Sequence, residues 1–375
     1  MRRRSAMARK RSTVALAGAM ALLAAALTST SVAKTSMPRV TPLEASASSE
    51  RPDRAVIVLV IDGARWQDVV GDGHAMPRLA SLAREHGAVL GAPKSGGAMR
   101  ASGPNFVSMP GYAEILGGAP ARACLGNDDC ASATHATVAD AVLAESGSPY
   151  DAAVFSSWPD LIRVASAAPD ALVVSGGRST THHEAEMRRD PEMSELLDRG
   201  ERADAWPGEK DFRPDRFTAP IAERYLAAFR PRFLFVSLGE ADEYAHHDDH
   251  ASYMEALRYA DGVVAELYAA THGANAHGRA TTIFVTADHG RANDFRNHGG
   301  RWPESSRSWL VALGGDVTRA SVAGAHDHAL ADLAPTVRAW LGLPADDATD
   351  AGHAIAGLFT NAVIPSEARD LRGPH

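Results

Sequence analysis

Six short apolar, β-branched runs punctuate the chain, most of them closed by glycine, serine or an acidic residue. In the clearest, Ala55–Ile61, every position is apolar until Asp62-Gly63 breaks the run. That is the pattern of a strand buried on both faces. The others lie in DAAVFSS (151–157), ALVVSGG (171–177), RFLFVSLGE (232–240), TTIFVTADHG (281–290) and SWLVALGG (308–315). Between them MPRLASLAREHG (76–87) carries apolar residues at helical spacing and a glycine stop. DHALADLAPTVRAWLGL (327–343) predicts a late helix, interrupted at Pro335. Strands alternating with helices predict an α/β fold around a mostly parallel sheet.

Three of the runs end on polar residues. Residues 55–61 lead into Asp62, residues 233–238 into Glu240 and Asp242, and residues 282–286 into Asp288-His289. Ligands of an open parallel sheet bind at the carboxyl ends of its strands, so these groups are expected to converge. Taken singly, each has a plainer reading. Asp62 is able to cap a turn, and the acid- and His-rich GEADEYAHHDDH fits a solvated surface. His298, in a Gly-rich loop, fits an exposed bystander. Asp242 and His246 are four apart, which puts them on one helical face, and His247 is the alternative to His246. Together Asp62, Asp242, Asp288, His246, His289 and His298 offer three carboxylates and three imidazoles, a mixture that suits Zn²⁺ foremost, or Mn²⁺, and enough groups for two ions.

A nucleophile is available in RASGPNFVSMPGYAEILGG (100–118). Ser108 stands where YAEILGG can begin a helix, and backbone N–H groups at a helix N-terminus favour an anionic substrate. The plainer reading is a serine cap. Ser102 competes with it but precedes Gly103-Pro104.

Composition adds limits. With 375 residues, 45% hydrophobic and 22% charged, the chain supports a sizeable core. Its first residues form a basic leader of Arg2, Arg3, Arg4, Arg9, Lys10 and Arg11. A 14-residue apolar run, Val14–Leu27, and the small-x-small Ser31-Val32-Ala33 follow. This predicts a signal peptide over 1–33, cleaved near Ala33, and export to the periplasm or beyond. The run is short for a membrane span, which needs about 20 residues. Cleavage removes six basic and no acidic side chains, moving the formal charge from −8 to −14. Such a balance gives no electrostatic reason to bind a nucleic-acid polymer. In an oxidising compartment Cys124 and Cys130 are expected to form a disulfide. Residues 34–52 are expected to be a flexible linker and 361–375 a loose tail, leaving 53–360 as the catalytic domain. Within it the polar, charged segment 150–230 is expected to include a cap or insertion over the site, and its His182 and His183 are expected to be surface residues.

The order of VLVIDGAR, SMPGYAEILGG, DEYAH, TADHG and NHGG resembles the alkaline phosphatase superfamily. The resemblance is closest to the branch with nucleotide pyrophosphatase/phosphodiesterases and sulfatase-like hydrolases, and it spans roughly 54–343. It implies a three-layer α/β/α fold and a two-metal phosphohydrolase acting on a small-molecule phosphate ester. Asp62, Asp288 and His289 would hold one ion, with Ser108 Oγ as a further ligand, and Asp242, His246 and His298 the other. Ser108 would attack phosphorus and pass through a phosphoserine. Asn127 would hold a substrate oxygen. A sulfatase or phosphonate hydrolase on the same scaffold, or a metal-binding envelope protein without catalysis, are the alternatives. Two departures are visible. The diesterases follow their threonine nucleophile with an aromatic residue, Pro and Asn, where this chain has Met109-Pro110-Gly111, and Tyr112 replaces the arginine of formylglycine sulfatases.

Overall fold

A computed structural model describes residues 53–71, 75–93, 97–130, 133, 135–273, 279–319, 326–346, 348 and 350–359. The expected signal peptide, linker and tail lie outside the described residues.

Eight strands form the main sheet. They are β1 (Arg54–Ile61), β2 (Gly87–Leu90), β4 (Ala152–Ser156), β5 (Val173–Gly176), β6 (Thr180–His182), β7 (Phe233–Leu238), β8 (Ala280–Thr286) and β10 (Leu310–Leu313), in the order β2-β10-β8-β1-β7-β4-β5-β6. The five central strands, β8 to β5, are parallel, and β10, β2 and β6 are antiparallel to their neighbours. A second sheet of short strands contains β3 (Met99–Arg100), β9 (Arg307–Ser308) and β11 (His328–Ala329). All six apolar runs contain strands of the main sheet.

Alternation along β1 divides the core into two. Val56, Val58 and Val60 pack with Ile115, Leu116, Val138, Leu333 and Trp340 on one face. Ile57, Leu59 and Ile61 pack with Leu79, Ile221, Tyr225, Leu257 and Val264 on the other. Because side chains alternate with period two, a strand covered on both faces must be apolar throughout. The helices Ser108–Gly117, Val138–Ser146 and Leu333–Leu341 form one outer layer, and Pro77–His86, Asp215–Phe229 and His250–His272 the other. The expected three-layer α/β/α arrangement is observed.

Two expectations are revised. Pro335 does not interrupt the late helix, because Leu333–Leu341 begins only two residues before it. Proline is tolerated in a first turn, whose N–H groups lack helical acceptors anyway. Much of segment 150–230 belongs to the body of the fold rather than to a cap. It supplies β4, β5 and β6, and its helices Pro191–Glu201 and Asp215–Phe229 bury Met193, Leu197, Ile221 and Tyr225 in the second core. The polar residues that suggested an insertion form a surface ion network, with Arg188 paired to Glu184, Asp198 and Glu201.

Candidate metal centre

Strand register levels the three polar ends. Ile61 pairs with Leu238 and Val60 with Thr286 across parallel ladders, so Asp62, the helix Glu240–His246 and Asp288-His289 leave the sheet side by side. The helix Ser108–Gly117 closes the group from the opposite layer. It approaches so tightly that a side chain on Gly111 would collide with the Asp288 backbone. Ser108 opens this helix, as the sequence suggests.

Asp62, Asp288 and His289 offer ligand atoms within 4.8 Å of one another, and so do Asp242, His289 and His298. His289 Nε2 lies 3.4 Å from both Asp62 Oδ1 and Asp288 Oδ2. Ser108 Oγ lies 3.3 Å from His289 Nε2 and 3.4 Å from Asp62 Oδ1. His246 stands beside the second group, its Nε2 2.9 Å from Asp242 Oδ2 and 3.0 Å from His298 Nε2. His289 and His298 stack with ring centroids 4.1 Å apart. The six expected ligands and Ser108 therefore gather in one place.

The remaining candidates separate clearly. His247 faces away from Asp242, with Nε2 on the Pro207 carbonyl and its ring stacked on Trp206. Ser102 is bound through its N–H and hydroxyl to the buried Glu114 carboxylate and takes no part. His182 and His183 bond to the carbonyls of Pro169 and Asp170 at the β6 edge, strands away from the site. Asn127 does sit beside the serine. Its Oδ1 accepts from Met109 N at 3.0 Å, which leaves its Nδ2 as a donor. The loop that carries it is closed by the Cys124–Cys130 disulfide and held by Arg163, which donates to the carbonyls of Asn127 and Cys130.

The donor chemistry fits divalent cations. His289 Nδ1 faces the Gly290 carbonyl at 2.8 Å and His298 Nδ1 the Phe106 carbonyl at 3.0 Å. A carbonyl only accepts, so each Nδ1 carries the proton and each Nε2 presents a lone pair, the tautomer of a metal ligand. The His289 lone pair points at carboxylate oxygens, and Asp288 Oδ2 is buried with no hydrogen-bond partner. Acceptors facing acceptors in a buried site are costly unless a cation joins them. Proton affinities record the same conflict. Burial, then repulsion from Asp242, pushes Asp288 up to about 8. Burial, then Asp288 and Asp242, push Asp62 up as well. Burial holds His289 well below the usual histidine range.

Two residues that the motifs did not single out as site groups complete the centre. Tyr112, one helical turn after Ser108, donates from its hydroxyl to Asp62 Oδ2 at 2.8 Å and shares a 2.7 Å hydrogen bond with Ser237 Oγ. This fixes the Asp62 carboxylate so that Oδ1 faces the cluster, and it gives a positive role to the residue that departs from the sulfatase pattern. The i,i+4 spacing from Ser108 was the available signal. Arg291 lies inside the fold, its guanidinium paired with Asp242 Oδ1. Burial alone would raise Asp242, but Arg291, His246 and His298 together outweigh it and hold the carboxyl well below the usual range. An arginine directly after the Asp-His-Gly triplet was the only hint. Gly63 faces this pair in a left-handed conformation, φ 61°, and any side chain there would strike Asp242 Oδ1 and Arg291 Nη1.

Tyr112→Phe is expected to leave Asp62 Oδ2 and Ser237 Oγ short of a partner. The cost is about 1–3 kcal/mol of stability and a loss of metal affinity of about 10- to 100-fold. Thermal melts and metal titration of the variant check this, and an unchanged affinity would remove Tyr112 from the centre.

The fold and the carboxylate–histidine cluster define a candidate metal centre on a mostly parallel sheet covered on both faces. Residues 207–345 match the Metalloenzyme superfamily model. Among solved structures the chain is similar to wild-type alkaline phosphatase PafA, with 12% identity, a TM-score of 0.57 and coverage of 84% of this chain and 100% of that one. It is also similar to the phosphonate monoester hydrolase of Agrobacterium radiobacter, with 18% identity, a TM-score of 0.50 and coverage of 82% and 77%. A protein in the alkaline phosphatase superfamily from Vibrio parahaemolyticus matches at 13% identity and a TM-score of 0.51, covering 78% and 67%. No curated protein sequence matches the chain. The match over 207–345 is thus to the Metalloenzyme superfamily model, and the chain shares the fold of alkaline phosphatase PafA.

Proposed function

We propose that this protein is an exported two-metal hydrolase of small phosphate esters, diesters or monoesters, with Ser108 as nucleophile. The observation that carries this reading is the placement of Ser108 Oγ, 3.3 Å from His289 Nε2 and 3.4 Å from Asp62 Oδ1, where two ligand sets meet. Asp62, Asp288, His289 and Ser108 Oγ would hold one divalent ion, and Asp242, His246 and His298 the other. Such a pair, Zn²⁺ or Mn²⁺, supplies stabilisation of the attacking and leaving oxygens of an in-line displacement.

The chain's own groups do the rest. Ser108 loses its proton to solvent and bonds to phosphorus as the opposite P–O ester bond breaks. The departing alcohol takes a proton from water, and Ser108 is left phosphorylated. Water then cleaves the phosphoserine, returning the serine hydroxyl and releasing the phosphoryl group. At the start of the helix Ser108–Gly117 the Met109 N–H is taken by Asn127 Oδ1 and Gly111 N by the Val107 carbonyl, so Asn127 Nδ2 is the group that would donate to a phosphoryl oxygen. Asp62 is held by Tyr112, so the nucleophile meets a fixed carboxylate rather than a rotating one.

A panel of bis-p-nitrophenyl phosphate, p-nitrophenyl phosphate, a phosphonate monoester and an aryl sulfate tests the reading. Metal-dependent hydrolysis of a phosphate ester as the fastest reaction is expected. Preferential turnover of the sulfate or phosphonate would replace it with the alternative chemistry on this scaffold, and no turnover with metal bound would indicate a binding protein. The intact mass of protein recovered from the cell envelope or medium tests cleavage near Ala33.

A further inference from the structure

The two ligand sets are unequal in charge. Asp62 and Asp288 bring two carboxylates to the first, matching a divalent ion. The second has one carboxylate, Asp242, and that carboxylate already has a cation on its other oxygen. Arg291 Nη1 donates to Asp242 Oδ1, while Oδ2 is the oxygen facing His246 Nε2 at 2.9 Å. The guanidinium side chain is 0% exposed, so it does not reach substrate from solvent.

Its position is over-determined. Nε donates to the Phe295 carbonyl and Nη2 to the Arg296 carbonyl, both at 2.6 Å. The loop that wraps it is tied by Ala292 N to Asn297 O at 2.7 Å, and Phe295 adopts a left-handed backbone, φ 71°, in presenting its carbonyl. A non-glycine residue holds that conformation where the surrounding contacts over-determine it. On the other side Gly63 leaves room for the Asp242–Arg291 pair and nothing larger.

A carboxylate or carbonyl behind a metal ligand raises that ligand's basicity. A buried guanidinium does the reverse, and it also repels an incoming cation at short range in a low dielectric. We propose that Arg291 makes the two metal sites unequal. With Asp242 already paired, the Asp242/His246/His298 site takes its ion weakly and exchangeably, while Asp62/Asp288/His289 holds its ion tightly. This rests on the two-metal reading above. Arg291 is thus a positioning residue that sets the metal concentration at which the centre fills, and full occupancy follows free metal rather than total metal.

The test is equilibrium dialysis of chelator-stripped protein against buffered Zn²⁺ and, separately, Mn²⁺, with bound metal counted by mass spectrometry. Wild type is expected to fill in two steps separated by about 10- to 100-fold in free metal. Arg291→Met should move the second step to lower metal by about tenfold or more, leaving the first in place. Arg291→Lys, which keeps the charge, should retain the wild-type separation. Two equivalents bound in one unresolved step by wild type would overturn the inference while leaving the two-metal reading intact. So would an Arg291→Met second step that stays put or weakens. Binding of one equivalent or none at any concentration would end both readings. If Arg291→Met fails to fold, a single unresolved step in the wild type still overturns the inference, and Arg291→Lys still tests whether the charge is what matters.

Discussion

Ser108→Ala is expected to reduce turnover by about 10⁴-fold or more while the protein keeps most of its metal. Removing a covalent nucleophile commonly costs on that scale, because the neighbouring groups act only through it. The retained metal is the informative half. Asp62, Asp288 and His289 converge without the serine, and Asp62 is fixed independently by Tyr112. Alanine also fits the helix start, since Ser108 is a first-turn residue and Val107, not Ser108, occupies the cap position. Steady-state rates on the preferred ester, with metal analysis of the same sample, check both halves. A wild-type rate would take Ser108 out of the reaction, and loss of metal together with rate would recast it as mainly a ligand.

Stripping the metal is expected to abolish activity, to lower the melting temperature, and to make stability fall as pH rises. The sign follows from the raised carboxyls. Asp288 stands at about 8 in the metal-free fold against an ordinary value of 3.8, and Asp62 is shifted in the same direction. Between those two values these carboxyls hold more protons in the folded chain than in the unfolded one, so their contribution to stability declines with pH. The contribution is fully present below about pH 4 and is lost as pH climbs through about 8. A bound cation pairs with the ionised carboxylates and removes this slope. The gain in melting temperature from added Zn²⁺ or Mn²⁺ should therefore grow from pH 5 to pH 8. Melts in chelator and in metal across that range measure it, with activity restored by either ion. Full activity after long dialysis into excess EDTA, or a metal-free melt flat with pH, would contradict the arrangement.

The fold was legible because its strands carry the signal in themselves. Ala55–Ile61 reads as doubly buried from seven consecutive apolar positions, and the other runs behave alike. The segment 150–230 misled for a physical reason. A helix such as Pro191–Glu201 buries only one stripe, Met193 and Leu197, so its average composition is polar although it packs on the core. Pro335 misled because its effect depends on where the helix starts, and a helix start is a matter of a few residues.

The centre was half legible. Asp62, Asp288 and His289 follow strand ends, and parallel register then brings them level, so position in sequence foretold position in space. Asp242 and His246 announced themselves by spacing. The choice of His246 over His247 needed the fold, since adjacent helical residues point about 100° apart and only packing against Trp206 and Pro207 shows which one turns away.

The chain's own order of residues thus determined the sheet, the strand ends that bear acids and histidines, and a serine at a helix start. Tertiary structure alone decided the tautomers of His289 and His298, the clamping of Asp62 by Tyr112 from the facing layer, and the pairing of Asp242 with Arg291. Those depend on hydrogen-bond partners 50 or so residues distant, or on loop carbonyls whose direction no local pattern encodes. Local periodicity specifies which face of an element is buried. Which lone pair faces which proton is settled only when the elements meet.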